Sequence, residues 1–256
     1  MKSTYVSRPR AGATEVSPAS VAVPLVLVAA LVIGNILSNR VAPDGFYVPL
    51  NLAVAAAVYL VASRAVTPID VGLTRWRRGA RWGAFIAVST IAVYLVALSL
   101  PPLRDLFDDS RVRGGPDRML FEALVRIPFG TVLLEELAFR GALPAVFSRW
   151  WSTPRAVVAA SFLFGLWHVL PALSLGEINP VLAGILGDGT AGQIAGVVFA
   201  VAGTFLAGLW LCLLRYGSGS LLAPALAHVA SNSLAYTIAW FVTGGVSGTL
   251  LAGGDL

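Results

Sequence analysis

The chain has 256 residues, of which 57% are hydrophobic and only 12% charged, and its mean hydropathy is +0.80. Soluble domains contain about 25% charged residues, so this composition excludes an ordinary soluble protein and indicates an integral membrane protein. The net charge of +5 does not indicate nucleic-acid binding, because the arginines lie between apolar segments and form no basic stripe with interleaved aromatic residues. An excess of Arg over Lys, with abundant Ala, Val and Gly, is typical of a GC-rich bacterial genome.

The apolar segments predict an all-α fold, a polytopic membrane helical bundle of about seven transmembrane helices. A segment of about 20 residues can cross about 30 Å of hydrocarbon as a helix. Residues 1–17 are polar and are predicted to be a disordered cytoplasmic N-terminus, followed by a single transmembrane helical domain over 18–256. The seven predicted spans are 19–38, 47–64, 81–100, 127–148, 155–174, 193–214 and 220–242.

The charges of the connecting segments predict how the chain is oriented in the cell membrane. An excess of arginine marks the N-terminus and the second, fourth and sixth connections as cytoplasmic. The C-terminal segment, whose only charged side chain is Asp255, is then predicted to lie outside.

Three of the predicted spans carry polar side chains at a common depth. Glu135, His168 and His228 each lie 13 or 14 residues from the arginine at the predicted cytoplasmic end of their span. At 1.5 Å per residue, each lies roughly 20 Å from the same side of the membrane. Ionisable groups in hydrocarbon are costly and mark functional sites, so this shared level predicts one polar site inside the membrane.

Helical spacing sorts the polar residues of these spans into pairs. Glu136 and Arg140 lie one turn apart on one face and are predicted to form an ion pair, which leaves Glu135 for another partner. The same spacing of four residues places Phe164 beside His168 and His228 beside Asn232.

Such a group of side chains can hydrolyse an acyl bond. A carboxylate and an imidazole can take the proton of an attacking water, while a second imidazole and a carboxamide donate hydrogen bonds to the oxyanion. Two histidines and a glutamate can also hold a catalytic zinc, so Glu135, His168 and His228 are the predicted ligands if a metal is present. A site that requires no cofactor is favoured, because no HExxH motif fixes a zinc.

Three motifs occur in order along residues 120–235: EExxxR at Glu135, FxxxH at Phe164 and HxxxN at His228. This core resembles the CPBP family of intramembrane proteases, which comprises the type II CAAX prenyl endopeptidases and the bacteriocin-processing Abi proteins. The family is described both as metalloproteases and as metal-independent glutamate proteases, so the resemblance leaves metal dependence open. The segment TPIDVGLTR, residues 67–75, resembles a short stretch that often precedes this core.

The resemblance implies a role for each matching residue. Glu135 and His168 would activate the attacking water, and His228 with Asn232 would stabilise the oxyanion. The site would be shaped by three further residues, Glu136, Arg140 and Phe164.

The resulting functional hypothesis is an intramembrane endopeptidase that acts on a membrane-anchored protein or peptide within the lipid bilayer. One alternative is a non-catalytic immunity or scaffold protein of the same fold, in which the polar cluster serves helix packing alone. Another is a proton-coupled transporter that uses Glu135 and His168 as a relay, although no internal repeat supports it. The GVSG sequence at 245–248 mimics the serine motif of rhomboid proteases but is discounted, because no histidine follows it.

Overall fold

The computed structural model describes residues 18–112, 114–187 and 189–244, and over these residues the chain is helical with no strand. This confirms the all-α class predicted from hydropathy. The predicted disordered N-terminus at 1–17, the GVSG sequence and the C-terminal Asp255 lie outside the described residues. In chain order the α-helices are α1 (Pro18–Ile36), α2 (Tyr47–Ala62), α3 (Pro68–Val71), α4 (Trp76–Ser99), α5 (Pro101–Arg104), α6 (Pro116–Phe121), α7 (Leu133–Glu135), α8 (Leu143–Phe147), α9 (Thr153–Trp167), α10 (Val169–Ala172), α11 (Leu175–Ile178), α12 (Pro180–Leu186), α13 (Gly189–Ser218) and α14 (Leu222–Val242).

Four helical segments are long and apolar enough to cross a membrane, and they correspond to the first, second, third and sixth predicted spans. The chain is therefore a membrane protein by length and composition of its helices. The predicted total of about seven is not confirmed, because only these four meet both criteria among the described residues. They are Ala22–Val41, Asp44–Ala62, Pro68–Ser99 and Gly189–Ser218.

The other three predicted spans are helical but carry the polar residues of the predicted site. The fourth contains two glutamates and an arginine within six residues. The fifth stops as the 15-residue helix α9, one residue before His168, where the backbone turns into the short helix α10. The seventh is the 21-residue helix α14, whose apolar character is reduced by His228 and Asn232. Site residues thus make the fourth and seventh spans more polar, whereas the fifth is apolar but too short.

Residues 116–147 form one continuous helical run, which we call the motif helix, in which α-helical and π-helical turns alternate. The π-helical turns lie at Glu122–Val132 and Glu136–Ala142, on either side of α7. A π-helical turn bonds five residues apart and is wider than an α-helical turn, and such turns are frequent at functional sites. Pro128 lies inside the first of them and lacks the N–H that a regular ladder would use.

The motif helix runs through the largest hydrophobic core, which is formed with α1, α2 and α9. Leu27 of α1, Val58 of α2 and Leu143 of α8 are fully buried there. The outer faces of the long helices instead expose large apolar side chains, such as Phe85 and Leu213. Large apolar side chains on the outer faces are expected when hydrocarbon replaces water around the bundle.

Helix α4 packs closely on α14 because glycines lie at the contact. A Cβ atom added to Gly83 would lie 2.7 Å from Cβ of Leu226, and one added to Gly79 would lie 2.5 Å from Oγ of Ser220. Tyr94 of the same helix donates its hydroxyl hydrogen bond to the carbonyl of Ser231 at 3.1 Å. Small residues at helix contacts in membranes let backbones approach in this way.

Replacing Gly83 by valine is therefore expected to lower the free energy of unfolding by about 1–3 kcal/mol, because the added methyl groups overpack the contact with Leu226. Thermal unfolding of the purified protein in detergent measures the change. The matched control is Gly203→Ala in α13, where no atom lies within 4 Å of an added Cβ. That change should leave stability equal or slightly higher, because alanine favours the helix more than glycine does. Equal loss in both variants would contradict close packing at Gly83.

The TPIDVGLTR segment contains α3 and contacts the end of α13 and the start of α14. Thr67 and Asp70 form a capping box at the start of α3, and Gly72 ends it with φ of 92°. The buried Arg215 of α13 donates hydrogen bonds to the carbonyls of Asp70 at 2.8 Å and Val71 at 3.1 Å. These bonds satisfy the free carbonyls at the end of α3 and fix the segment against the motif helix, where Val71 packs on Gly141.

Candidate functional site

Three helical segments bring six of the seven predicted site residues into one connected cluster. The motif helix supplies two glutamates and an arginine, the α9–α10 junction supplies a phenylalanine and a histidine, and α14 supplies the second histidine. Contacts between residues far apart in the sequence join all three segments, as expected if their polar side chains lie at one depth in the membrane. The six residues are Glu135, Glu136, Arg140, Phe164, His168 and His228.

Glu136 is the centre of the charged part of the cluster. Its Oε1 atom lies 3.2 Å from Nη1 of Arg140 and 2.8 Å from Nδ1 of His228. The predicted ion pair within the motif helix is thus present, although the intervening turns are π-helical. A carboxylate oxygen only accepts, so Nδ1 of His228 carries the hydrogen when Glu136 is ionised. Glu136 and Arg140 are each 1% exposed, so this pair is almost completely removed from solvent and lipid.

Glu135 presents its two carboxylate oxygens to different partners. Oε1 accepts a hydrogen bond of 2.9 Å from the indole Nε1–H of Trp167, the last residue of α9. Oε2 lies 3.7 Å from Nε2 of His228, a distance too long for a direct hydrogen bond. The indole therefore fixes one oxygen and leaves the other directed toward the imidazole.

His168 is oriented by its own helix. Its Nδ1 atom lies 2.8 Å from the carbonyl oxygen of Phe164, one turn earlier. Because a carbonyl cannot donate, Nδ1 must carry the hydrogen, which leaves Nε2 as the basic nitrogen of the neutral ring. No contact between His168 and Glu135 is present among the described residues. The imidazole that lies beside Glu135 in this structure is His228.

Phe164 lies between the charged and the imidazole parts of the cluster. Its ring meets that of His168 edge to face with centroids 4.6 Å apart, and that of His228 at 6.3 Å. The guanidinium carbon of Arg140 lies 3.8 Å from the same ring centroid, in a cation–π contact. The sequence placed Phe164 beside His168 alone, whereas its ring supports three members of the site.

Asn232 lies one turn after His228 on α14, as the HxxxN spacing predicts. Its Oδ1 atom accepts a hydrogen bond of 3.4 Å from Oγ of Ser231. It is half-buried, and no hydrogen bond joins it to the two glutamates within the part of the chain that the structure describes. Its amide N–H groups therefore remain able to donate to a substrate.

The cluster contains buried polar atoms that no protein group satisfies. Within the described residues, the atoms without a hydrogen bond are Oε2 of Glu135, Oε2 of Glu136 and the three guanidinium nitrogens of Arg140. Nη1 of Arg140 lies within ion-pair distance of Glu136 at 3.2 Å, but the contact does not have the geometry of a hydrogen bond. Buried polar atoms almost always have partners in folded proteins, and exceptions are common where function requires them. Their concentration in this one cluster marks it as a candidate functional site.

The donor set does not assemble a three-ligand metal centre. No group of three or more His, Cys, Asp or Glu side chains is placed to bind one metal ion in the described segments. Glu135 and His228 alone approach each other, at 3.7 Å, while His168 is turned to its own helix. The predicted zinc set of these three residues is therefore not brought together here, and metal dependence stays a prediction.

Two site residues were missed by sequence reasoning, Trp167 and Asn35. Trp167 is not a member of any of the three motifs, yet it donates to Glu135. Asn35 of α1 is 7% exposed and donates from Nδ2 to the carbonyl oxygen of Trp167 at 2.8 Å. It satisfies a backbone group where α9 ends. An asparagine within the first apolar span was the available signal, because polar side chains in membrane helices usually hydrogen-bond across helices.

Comparison with known proteins agrees with the motifs in this cluster. Residues 117–234 match the family model described as type II CAAX prenyl endopeptidase Rce1-like. These residues begin at the motif helix and end in α14, so they contain every residue of the predicted site. No curated protein matches the chain, and no solved structure does. Residues 117–234 are thus an Rce1-like domain, and the resemblance of this chain to the CPBP family of intramembrane proteases is confirmed.

Proposed function

We propose that this protein is an intramembrane endopeptidase that hydrolyses a peptide bond in a membrane-associated protein or peptide. The match of residues 117–234 to CAAX-type endopeptidases supports this reaction class. The observation that carries the proposal for the site is the carboxylate of Glu135. One of its oxygens accepts a hydrogen bond from Trp167, and the other is buried beside His228 without a hydrogen-bond partner.

Glu135 acts as the base that holds and deprotonates the attacking water. The water lies between Oε2 of Glu135 and an imidazole nitrogen, and its proton passes to these groups as its oxygen attacks the carbonyl carbon. His168, whose Nε2 is the basic nitrogen, shares this work as a second proton acceptor. The proton then moves to the amine that leaves, so that the peptide bond breaks and a carboxylate forms.

The oxyanion formed by that attack takes hydrogen bonds from α14. Asn232 donates from its amide, and His228 donates from Nε2 when its ring is protonated, with Nδ1 held by Glu136. Arg140 and Glu136 hold the imidazole in place and counter the charge that develops near it. Donors fixed in advance in a medium of low dielectric stabilise such charge far better than water does. No step requires a metal ion.

The test of this proposal is hydrolysis of membrane peptides by the purified full chain in proteoliposomes. We expect cleavage by the wild type, and a loss of about 100-fold or more in rate for His168→Ala and for Asn232→Ala. Thermal unfolding of each variant shows whether the fold survives. If both single variants fold and cleave at the wild-type rate, the proposed roles of His168 and Asn232 are excluded. Loss of activity that only follows loss of folded protein would favour the scaffold alternative.

Trp167→Phe is expected to lower kcat by about 10-fold to 100-fold with KM almost unchanged, because the substitution keeps the ring but removes the hydrogen bond to a charged carboxylate. Steady-state kinetics on the same peptides separates the two constants. The matched control is Trp240→Phe, which removes an equally short indole bond, 2.9 Å to the carbonyl of Gly114, in another part of the bundle. An equal fall in kcat for both variants would mean that Trp167 only stabilises the fold.

A further inference from the structure

The first turns of α4 carry a basic cluster that the proposed catalysis does not use. Four exposed arginines occur within seven residues, and no Asp or Glu occurs from residue 71 to residue 104. The carboxylate nearest in sequence, Asp70, is already engaged by the backbone and hydroxyl of Thr67. The charge is therefore uncompensated by nearby acidic residues in the sequence. The four arginines are Arg75, Arg77, Arg78 and Arg81.

Two of these arginines share a helix face with aromatic side chains. Arg78, Arg81, Trp82 and Phe85 follow the spacing i, i+3, i+4, i+7, so they form one stripe along α4. The stripe begins with cations at the start of the helix and becomes apolar within one to two turns. The neighbouring face, with Gly79 and Gly83, is the one that packs against α14. The stripe is therefore left open at the outside of the bundle.

A groove of about 550 Å³ lies along this stripe, and its far wall is Leu214 of α13. Its cationic end is held in place rather than free. Nη2 of Arg78 donates to the carbonyl of Gly217 at 2.8 Å, and its guanidinium carbon lies 5.8 Å from the centroid of the Trp82 ring. A Cβ added to Gly217 would lie 3.1 Å from the Trp82 ring, so the indole packs directly on the end of α13. The groove is lined by Arg78, Arg81, Trp82, Phe85, Ile86 and Leu214.

We propose that this groove binds one anionic phospholipid. The phosphate is held by Arg78 and Arg81, and one acyl chain lies along Trp82, Phe85 and Leu214. The chemistry matches because arginine forms paired hydrogen bonds with phosphate oxygens, and basic pockets between membrane helices recognise anionic head groups. Indole rings lie at the level between head groups and hydrocarbon, where Trp82 stands in this stripe. The bound lipid joins α4 to α13 and supports the contact of α4 with α14, and this proposal does not depend on the proposed protease activity.

The test compares lipid binding by the full chain in detergent, measured by native mass spectrometry and by the change in Tm. We expect phosphatidylglycerol to remain bound and to raise Tm, and phosphatidylcholine to do neither. The double variant R78Q/R81Q should bind phosphatidylglycerol about 10-fold to 30-fold more weakly. The matched control R64Q/R77Q removes two exposed arginines of the same connecting region, neither of which lines the groove, and should bind it as the wild type does.

Three results would overturn the proposal. Equal weakening by R64Q/R77Q would show general attraction to a basic surface instead of a site. Equal binding of phosphatidylcholine would show that the head-group charge is not recognised. A rise in Tm of the same size with inorganic phosphate alone would show an anion site that needs no acyl chain. Retention that is selective for phosphatidylglycerol and lost only in R78Q/R81Q supports the lipid site.

Discussion

Replacing Glu135 by glutamine is expected to lower the rate of peptide hydrolysis by about 10²- to 10⁴-fold, the range usual for loss of a general base. The side chain keeps its size and can still accept the hydrogen bond of 2.9 Å from Trp167 through its amide oxygen. What it loses is the second carboxylate oxygen, which lies 3.7 Å from Nε2 of His228 and could take a proton from water. The effect should therefore fall on chemistry and spare the fold.

The measurement is the cleavage rate of the purified variant in proteoliposomes, with Tm recorded on the same sample. A matched control is Glu122→Gln, which makes the same chemical change in a buried glutamate of the same helix. Glu122 bonds Arg126 at 3.0 Å and lies outside the cluster. We expect this control to cleave at a rate within a few-fold of the wild type. Full activity in Glu135→Gln would contradict the role of Glu135 as base.

Replacing Arg140 by methionine is expected to destabilise the protein by about 3–5 kcal/mol, because the change leaves a buried glutamate without its cationic partner. Arg140 has 0% of its side chain exposed, and Glu136 has 1%. The substitution also removes the cation that lies 3.8 Å from the centroid of the Phe164 ring. Thermal or chemical unfolding in detergent measures the loss.

A second Glu–Arg pair in the motif helix serves as a comparison for this loss of stability. Glu122 and Arg126 form a pair with the same spacing, but the Arg126 side chain is 33% exposed. Arg126→Met should cost less than Arg140→Met, because the Arg126 side chain reaches the surface, although its partner Glu122 is buried. The double variant Glu136→Gln/Arg140→Met should recover part of the stability lost in Arg140→Met, because it leaves no unpaired buried charge. Equal losses at Arg140 and Arg126, with no recovery, would mean that the fully buried pair contributes no more than the partly exposed one.

The parts of this structure that the sequence predicts are those that depend on one segment at a time. Hydropathy adds along a segment, so α4 and α13 were identifiable as spans without any knowledge of their neighbours. The Glu136–Arg140 pair was predictable for the same reason, since both ends lie on one helix. Site residues such as His228 replace apolar ones in the fourth and seventh predicted spans, whereas the fifth is apolar but its helix α9 is too short.

Contacts between helices could not be predicted from single segments of the sequence. Depth placed Glu135, His168 and His228 at one level, but the rotation of each helix decides which imidazole meets which carboxylate. The structure turns His228 toward both glutamates and His168 toward its own backbone. The donation from Trp167 to Glu135 depends on the same rotations and on the end of α9 one residue before His168. A regular period of 3.6 residues also gave no sign of the π-helical turns in the motif helix.

The most direct test of the central claim is made on natural membranes, where the substrate need not be known beforehand. Membrane proteins from cells that produce the wild type and from cells that produce Glu135→Gln at equal level are compared for fragments with new termini. Peptide hydrolysis at this site predicts a set of fragments that is present with the wild type and absent with the variant. The same fragments, at the same abundance in both membranes, would contradict it.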